Sequence, residues 1–276
     1  MKKPLFSKKT LTIITVVLAV ILFGGWFFFA FLQLNSVSAG KYNAAVGTRF
    51  IAHRGYSAKF FDNTYQAFEG ACIDPYFQGV ETDVWATIDG VYVCSHDENP
   101  FVDKGVKITE KTFEEIKDLP LDLSSAKEGI DKTIEYRICT LSDYLLLCYK
   151  YRKTAVVEIK QKFDREKTEE LCAYLLKNIN YQYLQIASFD REVVSYVFNY
   201  KRYLNVKVFS SRKSNANFNS ILGYNVSLSY KQVTQKFVEK CHERGVYVDV
   251  YTVDDPAEIE RLVELGVDYI TTNGRI

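Results

Sequence analysis

His53 and His96 are two of only three histidines in a chain of 276 residues, and each closes a short apolar run with the pattern of a β-strand. Between them stands Glu81-Thr82-Asp83, and further on Glu158-Ile159-Lys160. Side chains two apart on a strand point to the same face, so Glu81 and Asp83 would share one face, and Glu158 and Lys160 another. Crowded carboxylates repel, and one of them must take up a proton unless a cation lies between them. Glu81, Asp83 and Glu158 therefore read as an all-oxygen divalent-metal site, better suited to Mg²⁺ or Ca²⁺ than to zinc. Imidazoles can take a proton from an attacking group and give one to a leaving oxygen, which is the work expected of His53 and His96. Arg54 and Lys160 are the cations placed to bind the non-bridging oxygens of a phosphate. Together these residues form a set for cleaving a P–O bond.

Such a set has to be gathered from distant points of the chain, and the intervening pattern says how. Strand-like runs occur at Phe50–His53, Val80–Trp85, Val91–Ser95, Ala155–Ile159, Leu184–Ser188, Val206–Ser210, Val226–Ser229, Tyr247–Val253 and Tyr269–Thr272. Helical patterns fit between most of them, at Asn63–Tyr76, Leu141–Tyr151, Arg165–Asn178, Arg191–Tyr200, Gln232–Arg244 and Pro256–Leu265. Asp164, Asp190 and Asp255 are placed to cap helices, Pro256 fits a first turn, and Gly266 a stop. This alternation predicts a parallel sheet covered by helices, and roughly eight repeats predict a TIM (β/α)8 barrel. Nine candidates are one strand too many, and Asp89-Gly90 joins two of them by a connection too short for a helix. Residues 98–138 show little strand pattern beyond a short helical stretch at Thr112–Leu119, and read as an insertion over the barrel mouth. In a barrel the active site lies at the carboxyl ends of the strands, where both histidines are expected.

The amino terminus carries a different signal. Residues 1–10 hold four lysines, and residues 11–34 run for 24 residues without a charge. At about 1.5 Å per residue that run exceeds the roughly 30 Å of a bilayer's hydrocarbon. A basic cytoplasmic tail, one transmembrane helix over 11–34, a linker over 35–48 and a barrel domain over 49–276 are expected, with the domain extracytoplasmic at the cell membrane. A cleaved signal peptide competes, since Val37-Ser38-Ala39 resembles a cleavage site, but its apolar core should span only about 7–15 residues. Against 35 basic residues stand 34 acidic ones, so no broad basic surface for nucleic acid is implied. A small-molecule phosphodiester is the expected partner. Six cysteines form no CxxC pair and read as small buried hydrophobes. The tyrosine-rich stretches, Tyr181 with Tyr183 and then Tyr196, Tyr200 and Tyr203, read as packing.

His53-Arg54-Gly55, Asp62-Asn63-Thr64, Glu81-Thr82-Asp83-Val84, Thr87-Ile88-Asp89-Gly90 and His96-Asp97 resemble, in order, the signature series of the glycerophosphodiester phosphodiesterase family. Glu158-Ile159-Lys160, Ser188-Phe189, Tyr251-Thr252-Val253-Asp254 and Gly266-Val267-Asp268-Tyr269 resemble its later motifs. The resemblance implies a TIM barrel that hydrolyses a glycerophosphodiester to glycerol 3-phosphate and an alcohol with a divalent metal. It further implies His53 and His96 as the acid/base pair, Glu81, Asp83 and Glu158 as metal ligands, and Arg54 and Lys160 as phosphate contacts. The chain departs from the family at Tyr251, where Trp is common, and at Thr272-Asn273-Gly274-Arg275, where Thr-Asp-x-Pro is usual. These changes bear on the alcohol released. Lysophospholipids, glycerophosphate units of surface polymers, and a non-catalytic binding module on the same barrel are the alternative readings.

Overall fold

A computed structural model describes residues 47–275. Eight strands, β1 (Arg49–Ala52), β2 (Gly79–Ala86), β5 (Thr154–Ile159), β6 (Leu184–Ser188), β7 (Asn205–Ser210), β8 (Asn225–Ser229), β9 (Val248–Tyr251) and β10 (Tyr269–Thr272), pair side by side in parallel. The ring closes because β1 pairs with both β2 and β10. This is the expected TIM barrel. The strands are buried on both faces, which is why runs such as Ala155-Val156-Val157 are continuously apolar instead of alternating.

Helices α1 (Tyr65–Ile73), α3 (Leu141–Tyr151), α4 (Arg165–Asn178), α5 (Arg191–Tyr200), α6 (Lys213–Ile221), α7 (Gln235–Glu243) and α8 (Pro256–Glu264) return the chain from one end of the barrel to the other. The expected caps are in place. Asp164 accepts from Lys167 N, Asp190 from Glu192 N, and Asp255 from Ala257 N ahead of Pro256. Each satisfies a backbone donor that the helix leaves unpaired.

Several boundaries differ from the sequence reading. The helix expected to start at Asn63 begins at Tyr65, because Thr64 is its cap and Asn63 is left-handed at φ 55°. The one expected from Gln232 begins at Gln235, after a single 3₁₀ turn over Tyr230–Gln232. The surplus strand is Val91–Ser95. Within it, β3 (Tyr92–Cys94) pairs antiparallel with β2 and lies outside the barrel, together with the two-residue β4 (Cys139–Thr140). Helix α6 was not expected at all. It buries only Ala216, Asn219 and Ser220, so it carries no apolar stripe to read.

The excursion between β3 and β4 holds the short α2 (Phe113–Ile116) and a small core of its own, with Phe101, Ile108, Ile116, Leu121 and Ile138 packed near Phe61. The expected membrane span over 11–34 lies outside the described residues. Among the described residues no helix is long and apolar enough to cross a membrane.

Candidate active site at the barrel mouth

β2 and β5 are neighbours in register, with Asp83 opposite Glu158. Glu81, Asp83 and Glu158 consequently converge inside the barrel, with carboxylate oxygens within 4.8 Å of one another and all three side chains buried. Burial raises the Glu81 carboxyl well above its ordinary value, with Asp83 and Glu158 adding to the effect. Burial, then Asp83, pushes Glu158 up to about 8. At Asp83 burial acts in the same direction, but Arg54 and Lys160 outweigh it and hold that carboxyl below its usual range. One carboxylate is thus stabilised and two are short of positive charge. Three buried oxygen donors with a deficit of cations fit a hard divalent metal.

The two cations expected at the phosphate lie against these acids. Lys160, just past the end of β5, has Nζ 3.3 Å from Glu158 and 3.5 Å from Asp83. Arg54 has Nε 3.2 Å from Asp83 and a terminal nitrogen 3.0 Å from Asp62. Its backbone N–H donates to Glu81 Oε2 at 2.8 Å, an arrangement reached with φ 57°, in the left-handed region. Gly55 follows at φ 79°, and a Cβ there would lie 2.5 Å from the backbone of Ala67 in α1. Only glycine fits that turn. Asn63, also left-handed, donates from Nδ2 to Asp83 Oδ2 at 2.9 Å and accepts from Thr82 Oγ1 at 2.9 Å. It locks the acid-bearing strand β2 to the loop after β1.

His53 immediately follows β1, as expected at the mouth. Its Nδ1 lies 2.9 Å from Asn273 Oδ1. The orientation of that amide is set by its other partners, since Lys127 Nζ can only donate to Oδ1 and Asp254 can only accept from Nδ2. Nδ1 of His53 must therefore carry the proton, which leaves Nε2 as the lone pair. Burial and then the Arg54 charge push His53 down to about 4, so it is neutral at neutral pH.

His96 does not sit at the end of a barrel strand. It follows β3, which runs back down β2, where Ser95 N donates to Asp83 O. The antiparallel return brings His96 to the level of the acids, with Nδ1 2.9 Å from Asp97 Oδ1 and the side chain 41% exposed. His53, Arg54 and His96 line both an outer cleft of about 570 Å³ and an inner chamber of about 290 Å³ that holds Glu81 and Glu158. They stand where the two meet.

Lys127, Phe209 and Lys207 were not expected, whereas Phe189 and Tyr251 fall in motifs already singled out in the sequence. Lys127 reaches the site from the excursion, and nothing local in its sequence marks it. Lining the same chamber as Glu81 and Glu158, Phe189, Phe209 and Tyr251 form an aromatic wall with ring centroids 4.9 and 5.2 Å apart along the series. Lys207, also lining the chamber, donates to Asp249 at 2.8 Å within the barrel. The sequence hint was available there, since a lysine and an aspartate inside otherwise apolar strands must pair if buried.

Comparison with known proteins agrees with this geometry. The Glycerophosphoryl diester phosphodiesterase family model matches residues 53–274. A glycerophosphodiester phosphodiesterase of Caldanaerobacter subterraneus is 29% identical over 235 residues, covering 82% of this chain and 94% of its own. The crystal structure of a glycerophosphodiester phosphodiesterase from Parabacteroides distasonis superposes with a TM-score of 0.66 at 25% identity, covering 82% of this chain and 93% of that one. An Oleispira antarctica phosphodiesterase, solved with the product sn-glycerol-3-phosphate, shares the fold with a TM-score of 0.69 at 20% identity, covering 82% and 93%. With the family model spanning the barrel from His53 onward, the chain belongs to the glycerophosphoryl diester phosphodiesterase family.

Proposed function

We propose that this enzyme hydrolyses a glycerophosphodiester to glycerol 3-phosphate and an alcohol, with His53 as general base, His96 as general acid, and Glu81, Asp83 and Glu158 as ligands of Mg²⁺ or Ca²⁺. The observation that carries the reading is the junction at which His53, Arg54 and His96 face both the open cleft and the chamber of carboxylates. The bound metal would supply charge neutralisation at the phosphate.

His53 is neutral with Nε2 as its lone pair, so it is the group that can accept the proton of an attacking hydroxyl. Asp97 takes the Nδ1 side of His96, which leaves Nε2 to protonate the departing oxygen. Arg54 and Lys160 stand beside the acids, where their charges meet the non-bridging oxygens of a phosphate held there. The aromatic wall across the chamber shapes room for the carbon portion of the substrate.

The apolar run over 11–34, with its lysine-rich flank, supports a single span that holds the domain on the outer face of the membrane. The test of the reaction is hydrolysis of glycerophosphocholine by the full chain, with and without chelator, alongside His53→Ala and Glu81→Ala. Losses of roughly 10²-fold or more are expected for each variant. Equal rates in all three proteins would falsify the assignment.

A further inference from the structure

All eight barrel strands are parallel, so the end of the barrel at which Arg49 enters β1 is also the end at which β5, β6 and β7 begin. Those three strands are neighbours, and the turns leading into them are adjacent on that face. The turns have an uneven composition. Segments 149–153, 177–183 and 200–204 contain six basic residues and no acidic one, in a chain whose net charge is +1. Lys153 is buried with Nζ donating to Asp74 O and Phe77 O, which leaves Lys150, Arg152, Lys177, Lys201 and Arg202 for the surface. The same segments contain six tyrosines. Four of them are well exposed: Tyr149 at 68%, Tyr203 at 49%, Tyr181 at 44% and Tyr183 at 42%. The sequence pattern alone reads Tyr181, Tyr183 and Tyr203 as packing; Tyr181 and Tyr203 do meet edge to face at 4.9 Å, yet all four rings keep about two fifths or more of their surface exposed.

Helix electrostatics explain part of this. Lys150 and Lys177 lie in the last turns of α3 and α4, where a cation complements the helix dipole. That accounts neither for Arg152 and Arg202, which lie beyond the helix ends, nor for the rings. Between Tyr149, Lys150, Arg152, Ile179 and Tyr183 there is a cavity of about 400 Å³. Tyrosines interleaved with lysine and arginine are the side chains that settle at the headgroup level of a bilayer, rings toward the acyl boundary and cations on the phosphates. The chain enters β1 at this end, and only 12 residues separate Leu34, the last of the uncharged run, from Gly47. Even fully extended, a linker of that length reaches roughly 40 Å, so this face is held within reach of the membrane.

We propose that the face of the barrel formed by the turns before β5, β6 and β7 docks on an anionic phospholipid bilayer, with the catalytic mouth turned away from it. The proposal rests on the reading of residues 11–34 as an anchor and refines the substrate of the hydrolase reading. Glu158 is the fifth residue of β5, which places it roughly 13 Å along the strand from the turn that enters β5 at the docked face. A lysophospholipid lying in the same bilayer does not reach that height. The substrate is then a water-soluble diester or a diester unit of a polymer that extends from the surface.

The full chain, placed in nanodiscs of phosphatidylcholine alone or mixed with phosphatidylglycerol, is labelled on its lysines with an acylating reagent, and each site is read by mass spectrometry. Lys150, Lys177 and Lys201 are expected to label at least about fivefold more slowly in the anionic discs, the factor one basic residue contributes near such a surface. Lys104 at the mouth is expected to label equally in both. Charge reversal by Arg152→Glu with Arg202→Glu is expected to abolish the protection while hydrolysis of glycerophosphocholine is unchanged. Equal labelling in the two disc types overturns the proposal, and so does protection of Lys104 to the same degree. Protection by a soluble polyglycerol phosphate in phosphatidylcholine discs also overturns it, in favour of a polymer partner. Failure to enter discs at all refutes the anchor, and loss of hydrolysis in the wild type refutes the reaction, so the three readings fail separately.

Discussion

His53 Nδ1 and Asn273 Oδ1 lie 2.9 Å apart although 220 residues separate them in sequence, and this contact fixes which nitrogen of the imidazole is free to act. An amide oxygen accepts a hydrogen bond without carrying a full charge, so it orients the ring but does little to stabilise an imidazolium. That is why burial and Arg54 prevail and His53 is driven down to about 4. Asn273→Asp puts a carboxylate in the same place, with Lys127 still beside it. Opposite charge favours the protonated ring. The acidic limb of the kcat/KM profile is expected to move to higher pH by about one unit or more, a shift read directly from the pH dependence of glycerophosphodiester hydrolysis. An unmoved limb would show that His53 is not the group titrating there.

The division of labour between the histidines is open to a leaving-group test. A glycerophosphodiester expels an alkoxide that needs a proton, whereas a 4-nitrophenyl ester expels a stable phenoxide. His96→Ala is expected to lose roughly 10²–10⁴ on glycerophosphocholine and to recover most of that loss on glycerol 4-nitrophenyl phosphate. His53→Ala should lose comparable rate on both, because the attacking group is deprotonated in either case. The reverse pattern would exchange the two roles.

Gly55 offers a test of the scaffold alone. Its φ of 79° and the 2.5 Å separation between a built Cβ and Ala67 mean that any side chain both strains the backbone and collides with α1. Gly55→Ala is expected to cost at least about 2 kcal/mol of stability, measured by denaturant unfolding. Since Arg54 N is the donor to Glu81, metal affinity should fall with it.

Much of this site was visible in the chain because strand geometry is local. The alternation of Glu81 with Asp83, each on the inner face of β2, needs only a period of two to be read. Glu158 follows from the same rule on β5, and parallel pairing of the two strands does the rest. What escaped has a different physical origin. His96 itself was legible, but not its route: it reaches the acids by a short antiparallel return, which a count of parallel repeats treats as one strand too many. Lys127 and Asn273 meet across 146 residues, through a loop with its own small core, and no periodicity encodes such a contact. Helix α6 was missed because Ala216, Asn219 and Ser220 pack against the barrel by being small, with Asn219 Nδ2 donating to Ser210 Oγ at 3.3 Å, so its buried face carries no hydrophobic pattern.

Stability against pH tests the acidic cluster independently of turnover. Glu158 is raised from 4.5 to about 8 on folding, so without metal the native state holds a proton that the unfolded chain has released. A folded state that binds more protons loses stability as pH rises, here between about 4.5 and 8. His53 acts in the opposite direction, since its pKa is lowered from 6.5 to about 4, and its contribution grows between those values and is complete above 6.5. The two slopes oppose each other below 6.5, leaving the decline from Glu158 unopposed from about 6.5 to 8. The melting temperature of chelated protein is therefore expected to fall across that upper interval, by about 2–4 °C for each kcal/mol lost. Added Mg²⁺ or Ca²⁺ should flatten the decline, because the cation replaces the proton and stabilises the charged form. Glu158→Gln should flatten it as well, raising the melting temperature of the chelated protein at pH 8 while abolishing stabilisation by the cation and hydrolysis together. A variant that is more stable without metal and inactive with it would place the cost of the buried charge and its use on the same side chain. A chelated wild type whose melting temperature does not change from pH 6.5 to 8 would instead show that these carboxylates are not crowded in the folded protein.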